Sequence, residues 1–106
     1  MNKNLPDTMT AVTISAPGGP DVLQTLSLPL PSPSNNEVLI KVAAAGVNRP
    51  DCLQRQGLYP PPAGASEIPG LEVSGEIIAA GSNCVRFKPG DQVCALLTGG
   101  GYAEDC

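Results

Sequence analysis

The sequence predicts a mostly β protein, an irregular barrel of short strands carrying one short helix. Three observations lead there. Glycine and proline number 12 each in 106 residues, so turns are frequent and elements short. Aromatics amount to only 3%, namely Tyr59, Phe87 and Tyr102, which leaves the core to Val, Ile, Leu and Ala. The apolar residues also fall in several short runs that alternate with period two, as half-buried strands do.

Met9 to Ile14 alternates and is rich in β formers, and Pro17-Gly18-Gly19-Pro20 closes it with a turn. Val22 to Leu28 reads as a second strand, with Val22, Gln24, Leu26 and Leu28 on one face. Pro29-Leu30-Pro31-Ser32-Pro33 does not suit a ladder interior and reads as an extended connector. Asn35-Asn36 turns the chain into a strand over Glu37 to Ala45, where Val38, Ile40 and Val42 alternate with Leu39 and Lys41. Asn48 reads as a helix N-cap, with Asp51 in the first turn and Gly57 past the end. Pro50 is tolerated there because a first-turn N–H has no partner within the helix, so Arg49 to Gln56 reads as a short helix. Tyr59 to Pro69 is a proline-stiffened loop, and Glu72 to Ala80 a long strand with Val73, Gly75, Ile77 and Ala79 on one face. Phe87 to Asp91 turns into a strand over Gln92 to Leu97, which Gly99-Gly100-Gly101 ends. Tyr102-Ala103-Glu104 begins a further element that stops short, so a neighbouring edge is expected to lie uncovered. The organisation expected is a flexible N-terminus over residues 1–8 and one partial domain over residues 9–106, a piece of something longer.

Composition narrows the function. Hydrophobic residues at 42% and charged residues at 15% suit a folded domain. The net charge is −4, and the six basic residues (Lys3, Lys41, Arg49, Arg55, Arg86, Lys88) are scattered. A nucleic-acid partner needs them clustered, so none is expected. No apolar run approaches the roughly 18 residues of a membrane span, so no membrane association is expected. The first residues hold no apolar signal core, so a cytoplasmic location is expected. Cys52, Cys84, Cys94 and Cys106 form no C-x-x-C pair and read as free thiols packed as small apolar groups. Histidine is absent, so a zinc site would rest on thiols whose spacing does not suit one.

Six motifs run in order along nearly the whole chain. They are A-P-G-G-P-D-V-L at Ala16 to Leu23, E-V-L-I-K-V-A-A-A-G-V-N-R-P-D at Glu37 to Asp51, and Q-R-Q-G-L-Y-P-P-P at Gln54 to Pro62. G-L-E-V-S-G-E-I-I-A-A-G at Gly70 to Gly81, K-P-G-D-Q-V at Lys88 to Val93 and G-G-G-Y-A-E at Gly99 to Glu104 complete the set. Together they resemble the medium-chain dehydrogenase/reductase superfamily, and within it the zinc-independent quinone oxidoreductases of the p53-inducible quinone oxidoreductase-like group. The resemblance implies a GroES-like N-terminal catalytic half, followed in longer relatives by a Rossmann domain that binds NADPH. The chain itself contains no G-x-G-x-x-G, and Gly99-Gly100-Gly101 is read as a plain turn.

Two departures separate it from the zinc-dependent branch. Leu71 stands where that branch has a histidine ligand, and Asn48 where it has its first cysteine ligand. Leucine offers no lone pair, and the one carboxylate retained from that motif, Glu72, would not hold zinc by itself. Only Cys94 and Cys106 appear where a four-cysteine structural lobe would stand. The expectation is no catalytic metal. Without a Lewis acid, hydride delivery favours acceptors that spread the developing negative charge over a conjugated system, with hydrogen-bond donors sufficing to hold it. The implied reaction is NADPH-dependent reduction of quinones or α,β-unsaturated carbonyls.

The resemblance assigns Asn48 to the nicotinamide and substrate cleft, as a catalytic and cofactor-binding residue, beside its plain role as N-cap. Tyr59 matches a family active-site tyrosine whose hydroxyl donates to the substrate oxygen; the alternative is a loop tyrosine lying on proline rings. Asp51 is expected to cap the helix, Arg49 and Arg55 to be solvated, and Tyr102 to pack in the barrel. The full-length parent is expected to be a homo-oligomer, assembled through its absent half, and the 106-residue chain alone to be inactive. The competing reading is a stand-alone GroES-like barrel acting as a co-chaperonin or interaction module.

Overall fold

The computed structural model describes residues 5–106. Residues 1–4, part of the expected flexible N-terminus, lie outside the described residues. Five strands and one helix follow in order: β1 Thr8–Ile14, a 3-10 turn Pro20–Val22, β2 Leu23–Pro29, β3 Val38–Ala45, α1 Arg49–Arg55, β4 Glu72–Ala80 and β5 Gln92–Leu96. Among the described residues no helix is long and apolar enough to cross a membrane.

β1 and β2 form an antiparallel hairpin from Thr8↔Pro29 to Ile14↔Leu23. Pro29 therefore ends a strand rather than starting the connector, a position where its missing N–H costs no ladder bond. The expected buried face of β2 is only partly realised: Val22 and Leu28 are half-buried, whereas Leu26 is exposed. β3, β4 and β5 form a second antiparallel sheet with β4 in the middle. The β3–β4 register slips twice, between Leu39 and Ile40 and between Val42 and Ala44, which leaves Ile78 and Ala43 without a cross-strand partner. Such extra residues strengthen the local twist and let a sheet curl into a barrel. Adjacent Leu39 and Ile40 are both buried, Leu39 beside Pro31, Pro33 and Ile78. Ile40, Val73 and Ile77 form the core, with Val42, Val93 and Leu97 packed against them.

The segment 102–106 departs most from expectation. It joins the two sheets instead of leaving an edge bare. On one side Val12 N–H donates to Tyr102 O (2.8 Å) and Glu104 N–H to Thr10 O (3.0 Å). On the other, Ile40 and Cys106 exchange bonds of 2.7 and 2.9 Å, and Val42 N–H donates to Glu104 O at 2.9 Å. The spatial order is thus β2, β1, segment 102–106, β3, β4, β5, and among the described residues the open edges are those of β2 and β5.

Asp105 sits in this joint opposite Lys41 and is buried. Burial, and secondarily the neighbouring Glu104 charge, raise its carboxyl above the usual range against the pull of Lys41. A folded-state value above the unfolded one means that stability falls as pH rises from the ordinary carboxylate range, about 4, through the folded value. Asp105→Asn should therefore raise the melting temperature by a few degrees at neutral pH. That gain should vanish below about pH 4, where both states are protonated; thermal melts at the two pH values check it.

Candidate functional site

The site forms where β3 hands the chain to α1 beside the start of β4. β3 ends at Ala45, which pairs with Val73, and Gly46 N–H then donates to Glu72 O at 3.1 Å. The Glu72 side chain folds over Gly46 and occupies the space a Cβ there would fill. Two residues on, Asn48 takes the N-cap with extended backbone (φ −128°, ψ 160°). Its Nδ2 donates to Glu72 Oε1 at 3.1 Å.

Asp51, three residues into the helix, is 5% exposed. Its Oδ2 accepts from Asn48 N–H at 3.0 Å and from the Tyr102 hydroxyl at 2.7 Å. Its Oδ1 is buried and has no hydrogen-bond partner among the described residues. Burial first, then the bond to Asp51 and its charge, push the Tyr102 phenol well above its ordinary value. Tyr102 therefore stays a donor throughout the physiological range. The helix ends by a Schellman arrangement, Leu58 N–H to Leu53 O (2.8 Å) and Gly57 N–H to Gln54 O (3.0 Å). Arg55 does more than face solvent. It is half-buried, its Nε donates to Gly18 O at 3.1 Å and its carbonyl accepts from Gly18 N–H at 3.0 Å, which ties the helix to the Pro17–Pro20 turn.

The triglycine run delivers Tyr102. Gly100, Gly101 and Tyr102 donate in turn to Ile68 O (2.7 Å), Gly70 O (3.1 Å) and Pro69 O (2.9 Å). Gly70 has φ +109°, and a Cβ on it would lie 2.7 Å from Gly101 Cα and Tyr102 N. Backbone meets backbone there, which is why this loop carries no side chain.

The expected site residues divide. Asn48 stands at the centre of a network with Asp51, Glu72 and Tyr102. Tyr59 is half-buried in the loop after α1, and no hydrogen bond joins its hydroxyl to Asn48 or to any other described residue. Leu71 contributes its carbonyl, which accepts from Leu97 N–H at 2.8 Å. Among the described residues no three His, Cys, Asp or Glu side chains converge on a point suited to a metal. All four thiols are free, but Cys94 is exposed rather than packed. A cleft of about 440 Å³ adjoins the network, lined by Gly46, Glu72 and the cross-strand row Ala44, Ser74 and Cys94, with Leu96 at its side. The Tyr102–Asp51 bond had no signal in the sequence, since the partners lie 51 residues apart. The Asn48-x-x-Asp51 spacing, by contrast, is that of a capped helix start.

The alcohol dehydrogenase GroES-like domain model matches residues 34–106. The chain belongs to this family. It is 44% identical over 98 residues to a quinone oxidoreductase of Lama guanicoe, covering 91% of this chain and 30% of that protein. Among solved structures, the human synaptic vesicle membrane protein VAT-1 homolog-like protein superposes with a TM-score of 0.86 at 32% identity, over 95% of this chain and 32% of that one. A mycobacterial protein solved in complex with NADPH gives 0.78 at 38% identity, over 92% and 29%. The GroES-like chain thus spans about 30% of the length of the curated relative it matches.

Proposed function

We propose that this GroES-like chain forms the substrate-side part of a zinc-independent, NADPH-dependent oxidoreductase that reduces quinones or α,β-unsaturated carbonyls. The observation that carries the reading is the bond of 3.1 Å between Asn48 Nδ2 and Glu72 Oε1. It sets a neutral amide, held by a carboxylate, at a position where the zinc branch has a thiolate ligand. The name of the Lama guanicoe relative and the NADPH complex of the mycobacterial one support the substrate class and the cofactor.

The donor set fits a carbonyl acceptor. A primary amide has two N–H bonds; Asn48 engages Glu72 with Nδ2, and the second N–H remains to hold a carboxamide or quinone oxygen. Asp51 fixes that amide by capping the helix that begins at Asn48. The Tyr102 hydroxyl is committed to Asp51, whereas that of Tyr59 bonds no described residue, so Tyr59 is assigned as the donor to the substrate oxygen. NADPH, when bound, supplies the hydride. The 106-residue chain alone is assigned no turnover, and cytoplasmic location and homo-oligomeric assembly belong to the same proposal. A co-chaperonin role is the weaker reading, since α1 and its Asn48-centred network have no use there.

NADPH oxidation, followed at the nicotinamide absorbance with a quinone acceptor and with and without added zinc, tests this. In the protein with its nicotinamide-binding part present, Tyr59→Phe should lower turnover about 10²-fold at an unchanged melting temperature, the usual loss for one oxyanion donor. Unchanged kinetics would remove Tyr59 from the site, and stoichiometric activation by zinc would sink the metal-free reading.

A further inference from the structure

The β5 ladder has an open side with a regular spacing of free backbone groups. β5 pairs with β4 from Glu72↔Leu96 to Glu76↔Gln92 without a bulge. The flanking bonds, Leu97 N–H to Leu71 O (2.8 Å) and Ile77 N–H to Asp91 O (2.9 Å), set the phase. In an antiparallel pair hydrogen-bonded and non-bonded residues alternate, so Val93 and Ala95 bond β4 while Gln92, Cys94 and Leu96 turn N–H and C=O outward. Among the described residues no backbone group outside the β4 ladder bonds to these three. Edge strands are ordinarily blunted by lysine, proline, a bulge or a covering segment. β5 reads Q-V-C-A-L and has none of these among the described residues; Leu96 is 87% exposed and Cys94 is exposed.

We propose that this edge pairs antiparallel with β5 of a second copy of the chain, about a twofold axis through Cys94. The strand is self-complementary about its central residue. Gln92 then faces Leu96 of the second copy, and Cys94 faces its own counterpart. Each of the three outward residues takes part in a hydrogen-bonded pair, and each pair exchanges two bonds. No residue of β5 carries a formal charge, so the twofold arrangement sets no like charges directly opposite each other, which a charged edge would do. The Gln92 stem covers the exposed Leu96 side chain. The contact is small beside the roughly 1,200 Å² of a stable interface, and each copy has a net charge of −4. The dimer is therefore weak, concentration-dependent and strengthened by salt.

The geometry names its own reporter. Residues of a hydrogen-bonded antiparallel pair have Cα atoms about 5.5 Å apart, which brings two Cys94 thiols within reach of a short bismaleimide. Each thiol adds across one maleimide double bond, so no oxidant is consumed. The test uses a variant retaining only Cys94 (Cys52→Ala, Cys84→Ala, Cys106→Ala), with folding checked by circular dichroism. The expected result is a covalent dimer whose yield rises with protein concentration and falls at least about tenfold in Gln92→Pro. That substitution removes an outward N–H and leaves the β4 ladder complete. In the unaltered chain, amide hydrogen exchange at Gln92, Cys94 and Leu96 should slow with concentration while other strand amides keep their rates. A chain that stays monomeric, with exchange at these three amides independent of concentration up to about 1 mM, overturns the proposal. So does cross-linking that proceeds equally in Gln92→Pro. Should that variant fail to fold, the exchange measurement decides alone.

Discussion

Asp51→Ala is expected to lower the unfolding free energy by about 3 kcal/mol, whereas Asp51→Asn should cost about 1 kcal/mol. Alanine strips the common acceptor from two donors, Asn48 N–H and the Tyr102 hydroxyl, which Asp51 Oδ2 receives at 3.0 and 2.7 Å. Both donors are part-buried, so each left unpaired costs about 1 kcal/mol, the low end for such groups, and the start of α1 also loses a capping acceptor. Asparagine keeps one oxygen for both donors and sets its amide where Oδ1 now lies buried without a partner. Urea denaturation of the two variants reads the difference. Equal midpoints would show that the pair of bonds to Oδ2 does not organise this corner of the fold.

The second large effect is expected at Gly70. Alanine there combines a left-handed backbone (φ +109°) with a Cβ 2.7–2.8 Å from the Gly101 and Tyr102 backbone. Neither segment yields as a flexible side chain would, because both are tied into the Ile68–Tyr102 bonds. Strain of about 1–3 kcal/mol for the backbone state alone adds to the displacement, and Gly70→Ala should lose about 3 kcal/mol or more. Gly90 separates the two causes. Its φ is +98°, but a Cβ would meet nothing within 4 Å, so Gly90→Ala should cost only the conformational part, about 1 kcal/mol. Comparable losses in the two variants would mean that the close approach at Gly70 contributes little.

Local rules carried the strands and the helix. Alternation in Val38 to Val42 and in Val73 to Ile77 located β3 and β4, and Asn48, Asp51 and Gly57 bounded α1 to within one residue. What those rules missed is non-local. The Asn48–Glu72 bond spans 24 residues and the Tyr102–Asp51 bond 51, and nothing in a window of helix or strand length registers either. The Tyr102 to Glu104 stretch was too short to show a period, yet it lies between two strands because both offered it unpaired backbone. Arg55, by composition a solvated helix residue, instead meets a carbonyl that only the folded Pro17–Pro20 turn brings near. The register slips of β3 against β4 were also hidden, since both strands alternate normally in sequence.

The place of segment 102–106 bears on how the molecule assembles. The β1–β2 hairpin closes between near neighbours in the chain, starting from Ile14↔Leu23, whereas β3 and β4 already pair across 28 to 42 positions. Their union waits for residues separated by 94 positions, such as Thr10 and Glu104, to find each other. Closing a loop of that length is slow, and contacts of high sequence separation are those that set the folding rate. The joint is also in register with both partners at once, so one misplaced residue there would misalign the hairpin and the core sheet together. Formation of this five-residue splice is therefore expected to be a slow, late event in folding, with the Gly18–Arg55 bonds as a further tie between the two parts.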